Sequence, residues 1–381
     1  MRKTFAIITL IAGIAGSITA QQGYTLIWQD EFDGSQLNEQ VWNIEVNGDG
    51  GGNEELQYYR RENVSVGVEP ASGENCLIIT TRKEDFGGKT VTSGRLQTMS
   101  NMRFKYGKIE GRIKLPPTAN GLWPAFWMMG DDFSEVGWPK CGEIDIMEMG
   151  HADGIAAGTQ DRLFGGHFHW GESWPHPNWG MSRTNDYSLQ DSFHLFTMIW
   201  DENAISMYLD NDTEPYVKMD IPQSGGTAEG QVGRYFHKPF FVLFNMAVGG
   251  NYPGIHNINE VTALNASNNY EAKMYVDYLR LYQRGDNGEE FYGPGTSASK
   301  MEDISVASRL QFKVYCANGV LSVKGDVLPA RMILYSITGQ KVLEADNANS
   351  ANVSALRKGA YILKIQTKSG QEEIHKIILT N

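Results

Sequence analysis

Three acids recur at short intervals in Gly142-Glu143-Ile144-Asp145-Ile146-Met147-Glu148, separated by apolar residues. In a regular strand, side chains two apart share a face, so Glu143 and Asp145 point one way while Glu148 falls with Ile144 and Ile146. One extra residue after Asp145, forming a β-bulge, returns Glu148 to the face of the other two. Unbulged, the strand drives an acid into an apolar core. Bulged, it gathers three carboxylates in one cleft, an arrangement that costs stability and makes sense where the site is used. Cleavage of a glycosidic bond with retention needs two carboxyl groups about 5–5.5 Å apart, one a nucleophile and the other a proton donor and then acceptor. Glu143 and Glu148 suit those tasks, and Asp145 between them would hydrogen-bond the nucleophile and hold the two pKa values apart. The spacing by itself also admits a solvated strand face or a calcium site.

The neighbourhood favours a sugar. Trp123, Trp127, Trp138, Trp170, Trp174 and Trp179 crowd one part of the chain, and indoles pack against the C–H faces of sugar rings as readily as they fill cores. At least one of Trp123 and Trp127 must be buried, and Trp138, beside the acids, is a candidate substrate contact. His167 and His169 lie on a glycine-flanked alternating run, which lets His169 reach the cleft as a hydrogen-bonding residue; two histidines at i, i+2 with no third ligand make a weak zinc signal. Cys141, close before the acids, reads as a small buried hydrophobe. The three cysteines, Cys76, Cys141 and Cys316, are scattered and cannot all pair, so no disulfide framework is expected.

The elements that must hold these residues are strands. Leu77–Thr81, Gly107–Lys114, Ala204–Leu209 and Met274–Leu281 alternate or run apolar between turn signals, and long 3.6-residue periodicity is absent. This predicts an all-β fold, two sheets packed face to face. With 42 Gly among 381 residues and a net charge of −12, the chain is rich in turns and repels nucleic acid and anionic lipid, so neither is expected as a partner. Arg2 and Lys3, a short apolar run and small residues ending at Ala20 predict a secretory signal peptide over 1–20, without membrane insertion. A Gly/Pro/Ser-rich stretch predicts a linker over 285–303. Residues 304–381 carry +5 and leave −17 for the rest, which predicts two modules: 21–284, and a small β-sandwich over 304–381.

Several further motifs carry a family resemblance: Trp28-Gln29-Asp30-Glu31-Phe32-Asp33-Gly34, Gly52-Asn53-Glu54-Glu55-Leu56-Gln57-Tyr58-Tyr59, Ser93-Gly94-Arg95, Gly121-Leu122-Trp123-Pro124-Ala125-Phe126-Trp127, the acidic run, and Asn245 to Gly254. Over residues 25–284 the chain resembles glycoside hydrolase family 16, in particular the laminarinase-like endo-β-glucanases. The resemblance implies a jelly roll with an open cleft, Glu143 as nucleophile, Glu148 as acid/base and Asp145 assisting. It also implies cleft contacts from Asn53, Arg95, Trp123, Trp127 and His169, no cofactor for catalysis, and a structural calcium near Glu31 and Asp277. Glu54 and Tyr252 depart from the residues common at those positions, asparagine and tryptophan. Leu321-Ser322-Val323, Ile333 to Val342, Leu356 to Ile365 and Lys376-Ile377-Ile378 resemble a type IX secretion sorting domain. The implied protein is a secreted or cell-surface retaining endo-β-glucanase, exported through the periplasm, acting on β-1,3 or mixed β-1,3/1,4 glucan and engaging the type IX machinery. The alternatives are a galactanase of agarase or carrageenase type and a non-catalytic β-glucan-binding protein.

Overall fold

The alternating runs fold as strands. The computed structural model describes residues 23–190, 192–222, 231–285, 288–294, 312–317, 319–324, 329–336, 341–368 and 372–379; the expected signal peptide and the 295–303 portion of the expected linker lie outside them. Leu77–Thr81 falls within strand Asn75–Arg82, Met274–Leu281 within Glu271–Gln283, and Gly107–Lys114 and Ala204–Leu209 are strands over those same residues. The α-helices among the described residues are single short turns, Phe133–Val136 and Ala152–Ala157, and no helix there is long and apolar enough to cross a membrane.

The chain divides into two compact units, up to Ala298 and from Ser299. The first is built from two large antiparallel sheets. The sheet that carries the acids contains Arg95–Gln97 (β1), Leu122–Gly130 (β2), Glu143–Met149 (β3), Leu163–His169 (β4), Asn178–Thr184 (β5) and Phe240–Val248 (β6), in the spatial order β5-β4-β3-β2-β6-β1. One face of it is apolar: Phe126 and Met128 of β2, Ile144 and Met149 of β3, Phe164 and Phe168 of β4, and Phe244 and Met246 of β6 are all buried. They join one core with Ile109, Ile113, Phe196, Met198, Val276 and Leu279 of the other sheet. Gly111 marks how closely the layers meet, since a Cβ there would lie 2.9 Å from the Phe126 ring.

The first unit runs further than the sequence reading placed it. Glu290–Tyr292, inside the expected linker, pairs antiparallel with Arg103–Lys105. Gln283 Nε2 donates to Glu290 O at 3.0 Å, and the Arg103 guanidinium lies over the Tyr292 ring at 4.6 Å. Glu290–Tyr292 therefore belongs to the first unit rather than to a linker.

The second unit has a three-stranded sheet (Lys313–Ala317, Val320–Lys324, Ser350–Asn352) and a four-stranded sheet ordered Lys341–Asp346, Arg331–Ser336, Gly359–Gln366, Glu372–Leu379. Leu321, Val323, Met332, Leu334, Leu363, Ile365 and Leu379 form its buried cluster. The strands expected at Val320–Val323, Arg331–Tyr335, Ala360–Ile365 and His375–Leu379 all fall within these.

Candidate active site

The bulge lies where the acids require it. Across β2, Trp127 faces Asp145 and Phe126 faces Met147; across β4, His167 faces Asp145 and Gly165 faces Glu148. Both ladders slip by one residue after Asp145. Ile146 and Met147 therefore both turn into the core, and Glu148 rejoins Glu143 and Asp145 on the opposite face. The three side chains converge there: one oxygen each of Glu143 and Asp145 and a His169 nitrogen lie within 4.8 Å of one another, as do atoms of Asp145, Glu148 and His167. Both sets hold donor types that bind a divalent cation, and a cation there would occupy the lone pairs that a nucleophile and a proton carrier need.

Different partners hold the two ends of this strand. Glu148 is gripped on both oxygens: the Trp123 indole N–H donates to Oε1 at 2.9 Å, and His167 Nδ1 lies 2.7 Å from Oε2. Glu143 receives a hydrogen bond from Trp138 and feels the Arg95 and His167 charges. Burial, then the Glu148 charge, pushes Glu143 up to about 8 against those partners, and burial with both glutamates holds Asp145 well above the usual carboxylate range. Buried acids this close titrate as a set, so the proton count belongs to the cluster.

The cleft residues expected from sequence separate into two groups. Arg95 is anchored by Glu45 at 3.0 Å and lies 4.8 Å over the Trp127 ring, while Trp127 donates to Asn245 Oδ1 at 2.7 Å. Trp138 is exposed, 6.2 Å from Trp174 and 4.6 Å from His176. His169 bonds His176 at 2.9 Å and is pulled down to about 4, mainly by burial. Asn53 closes the Gly50–Gly52 turn, and its carbonyl accepts from Asn251 N of the loop after β6 at 2.8 Å. Trp123 also holds Glu148, and Tyr252 covers one of its faces, stacked at 4.7 Å and 11°, which leaves the other face for a sugar. Two of the six tryptophans leave the cleft. Trp170 is buried in the core against Phe236, and Trp179 pairs with the core-facing Phe168 and donates to Lys218 O. Strand alternation sends both away from the His167–His169 face.

The expected calcium ligands are also placed otherwise. Glu31 forms a two-pronged pair with Arg280, both bonds 2.7 Å, and Asp277 Oδ2 accepts from Arg112 at 2.6 Å. Arg280 takes both Glu31 oxygens and Arg112 is shared between Asp277 and Glu74, at 2.6 and 2.7 Å, so the oxygens a calcium ion would use face guanidinium cations and do not fit that ion. His167 and Tyr252 are the functional neighbours that sequence reasoning left without a role; the i, i+2 pairing of His167 with His169 is the signal that would have placed His167 on the cleft face.

A two-sheet jelly roll with three acids converging on the face of one sheet turned away from the core is the arrangement of a glycoside hydrolase. Residues 53–225 match the model for glycosyl hydrolases family 16, and residues 316–380 match the secretion system C-terminal sorting domain. A Bacteroides ovatus family 16 enzyme from a mixed-linkage glucan locus, solved with a G4G4G3G product, is 39% identical with a TM-score of 0.59, covering 67% of this chain and 99% of that one. The β-glucanase of Rhodothermus marinus is 31% identical over 74% of this chain and 95% of its own length. The clotting factor G alpha subunit of Tachypleus tridentatus is 35% identical over 68% of this chain, which spans only 34% of that protein. The chain belongs to glycoside hydrolase family 16.

Proposed function

We propose that this protein is a secreted endo-β-glucanase that hydrolyses β-1,3 or mixed β-1,3/1,4 glucan with retention. The observation that carries the reading is the bulge, which sets Glu143, Asp145 and Glu148 side by side on the cleft face. Glu143 attacks the anomeric carbon while Glu148 protonates the departing sugar oxygen. Water, deprotonated by Glu148, then releases the sugar from Glu143. Asp145, kept neutral by burial and by both glutamates, donates to Glu143 and leaves it free to attack. Arg95, Trp127, Trp138 and His169 line the approach, and Asn53 its edge. The relatives named a mixed-linkage glucan enzyme and a β-glucanase support the substrate class. The tail routes the enzyme through the periplasm to the type IX machinery and so to the medium or the cell surface. Reducing-end release from laminarin, lichenan, agarose and carrageenan in parallel tests the substrate, and NMR of the first products tests the mechanism. Turnover of galactans alone, or α-anomers first, would overturn it.

A further inference from the structure

His167 has a place prepared for it. Its ring stands on β4 with Gly180 of β5 alongside, where a Cβ would lie 2.1 Å from His167 Cδ2, and with Gly165 on its own strand, where a Cβ would lie 3.0 Å from Cε1. Gly180 thus leaves the space the ring fills, and Gly165, whose Cβ would also lie 2.9 Å from Met181 O and Ser182 Oγ, lets β5 close over it. The ring is pinned there with Nδ1 at 2.7 Å from Glu148 Oε2, side-chain exposures being 26% for His167 and 9% for Glu148. Around it stand Glu143, Asp145 and Glu148 from β3, His169 from its own strand, and Tyr252 from the loop after β6, with its ring 6.4 Å away and His151 packed against that ring. Trp123 from β2 reaches the same Glu148 by its other oxygen.

We infer that His167 is the proton store of the acid/base: the proton delivered to the leaving sugar is held between His167 Nδ1 and Glu148, so that the pair, not Glu148 alone, is the working acid. This rests on the glucanase reading above. Burial pulls the imidazole down, but the bond to Glu148 and the charges of Glu148 and Glu143 outweigh it and raise His167 above its ordinary value. A His167 cation beside a Glu148 carboxylate therefore persists where a lone carboxylic acid would already have lost its proton. For cleavage the proton moves from Nδ1 to Glu148, leaving a neutral imidazole and a carboxylic acid. Glu148 passes it to the glycosidic oxygen as the C1–O bond breaks and C1 bonds to Glu143. In the second half Glu148 takes a proton from water as its oxygen attacks C1 and Glu143 departs, and that proton is shared again with Nδ1.

The test is a pair of variants on two substrates. His167→Asn keeps an N–H near the Nδ1 position but has no proton to release; His167→Ala removes both. On lichenan or laminarin, each moves the alkaline limb of kcat/KM down by about one pH unit, so that activity above the limb falls about tenfold. On a 2,4-dinitrophenyl β-glucan oligosaccharide, whose leaving group needs no proton, the loss in kcat/KM, which reports the first half-reaction, is much the smaller, while kcat, limited by the second half, falls in both variants. An unmoved limb, rescue of the limb by asparagine, or equal losses of kcat/KM on both substrates would overturn the inference and leave His167 a positioning residue. Histidine NMR reads the pair without turnover: the His167 titration drops in Glu148→Gln, and an unchanged titration overturns the pair. A wild-type enzyme inert on every glucan would instead sink the substrate reading, and the NMR titration would still decide whether the pair exists.

Discussion

The two units solve the same packing problem with opposite interiors. In the tail, the buried side chains among the described residues are apolar apart from Thr367; in the first unit, Asp145 and Glu148 are buried along with Glu55 and Glu69. An ionised carboxylate out of water is costly unless donors surround it, and the first unit supplies them: Trp123 and His167 to Glu148, Gln57 and Tyr59 to Glu55. Glu69, held by the Ala71 and Ser72 amides and by Lys114, anchors a turn; Glu143, Asp145 and Glu148 instead crowd together so that their charges oppose one another, and that marks chemistry rather than stability.

The sharpest way to break this contrast is to neutralise the acids. Glu143→Gln and Glu148→Gln should each lower glucan turnover by about a thousandfold or more, without loss of thermal stability. Azide should restore turnover of an activated aryl glycoside only in the Glu148 variant; a retained-anomer product from the Glu143 variant would exchange their roles. A smaller loss, about a hundredfold, is expected from Arg95→Gln, which removes a cation facing Glu143. That cation holds Glu143 down, so its loss should also shift the acid limb of kcat/KM upward. Glu148→Gln acts in the other sense: the charge that helps raise Glu143 to about 8 is gone. Glu143 then ionises at lower pH, and the acid limb on the dinitrophenyl substrate moves down by about one unit. The smallest effect belongs to the tail. Removing residues 304–381 should leave kcat/KM on soluble glucan within about twofold, since the tail has its own core, while stopping export from the native host. Curdlan pull-down with and without the tail separates an export address from a polysaccharide-binding module, and a large loss on truncation would favour the module.

Much of this was legible in the sequence, and the limits have a common physical origin. Period-2 alternation gave the strands, and counting faces along Glu143 to Glu148 gave the bulge, because both depend on one strand at a time. What sequence alone missed depends on which strands become neighbours. His167 meets Glu148 only through the slipped β3–β4 register, and Tyr252 reaches Trp123 across nearly 130 positions of chain. Glu31 and Asp277 look like ligands until Arg280 and Arg112 arrive beside them. Glu290–Tyr292 has linker composition and becomes a strand because Arg103–Lys105 has an open edge to pair with.

The bulge also separates heredity from geometry. Ile146 and Met147 together do what one residue does in a regular strand, both facing the core. A gene that lost the codon for either would still encode Glu143, Asp145 and Glu148 on a common face, the strand now regular. Loss of the Ile144 codon, equally small on paper, would put Glu143 and Asp145 on opposite faces. Related genes can therefore differ in length at this one place and keep the same three acids in the cleft, whereas a residue before it can be neither gained nor dropped.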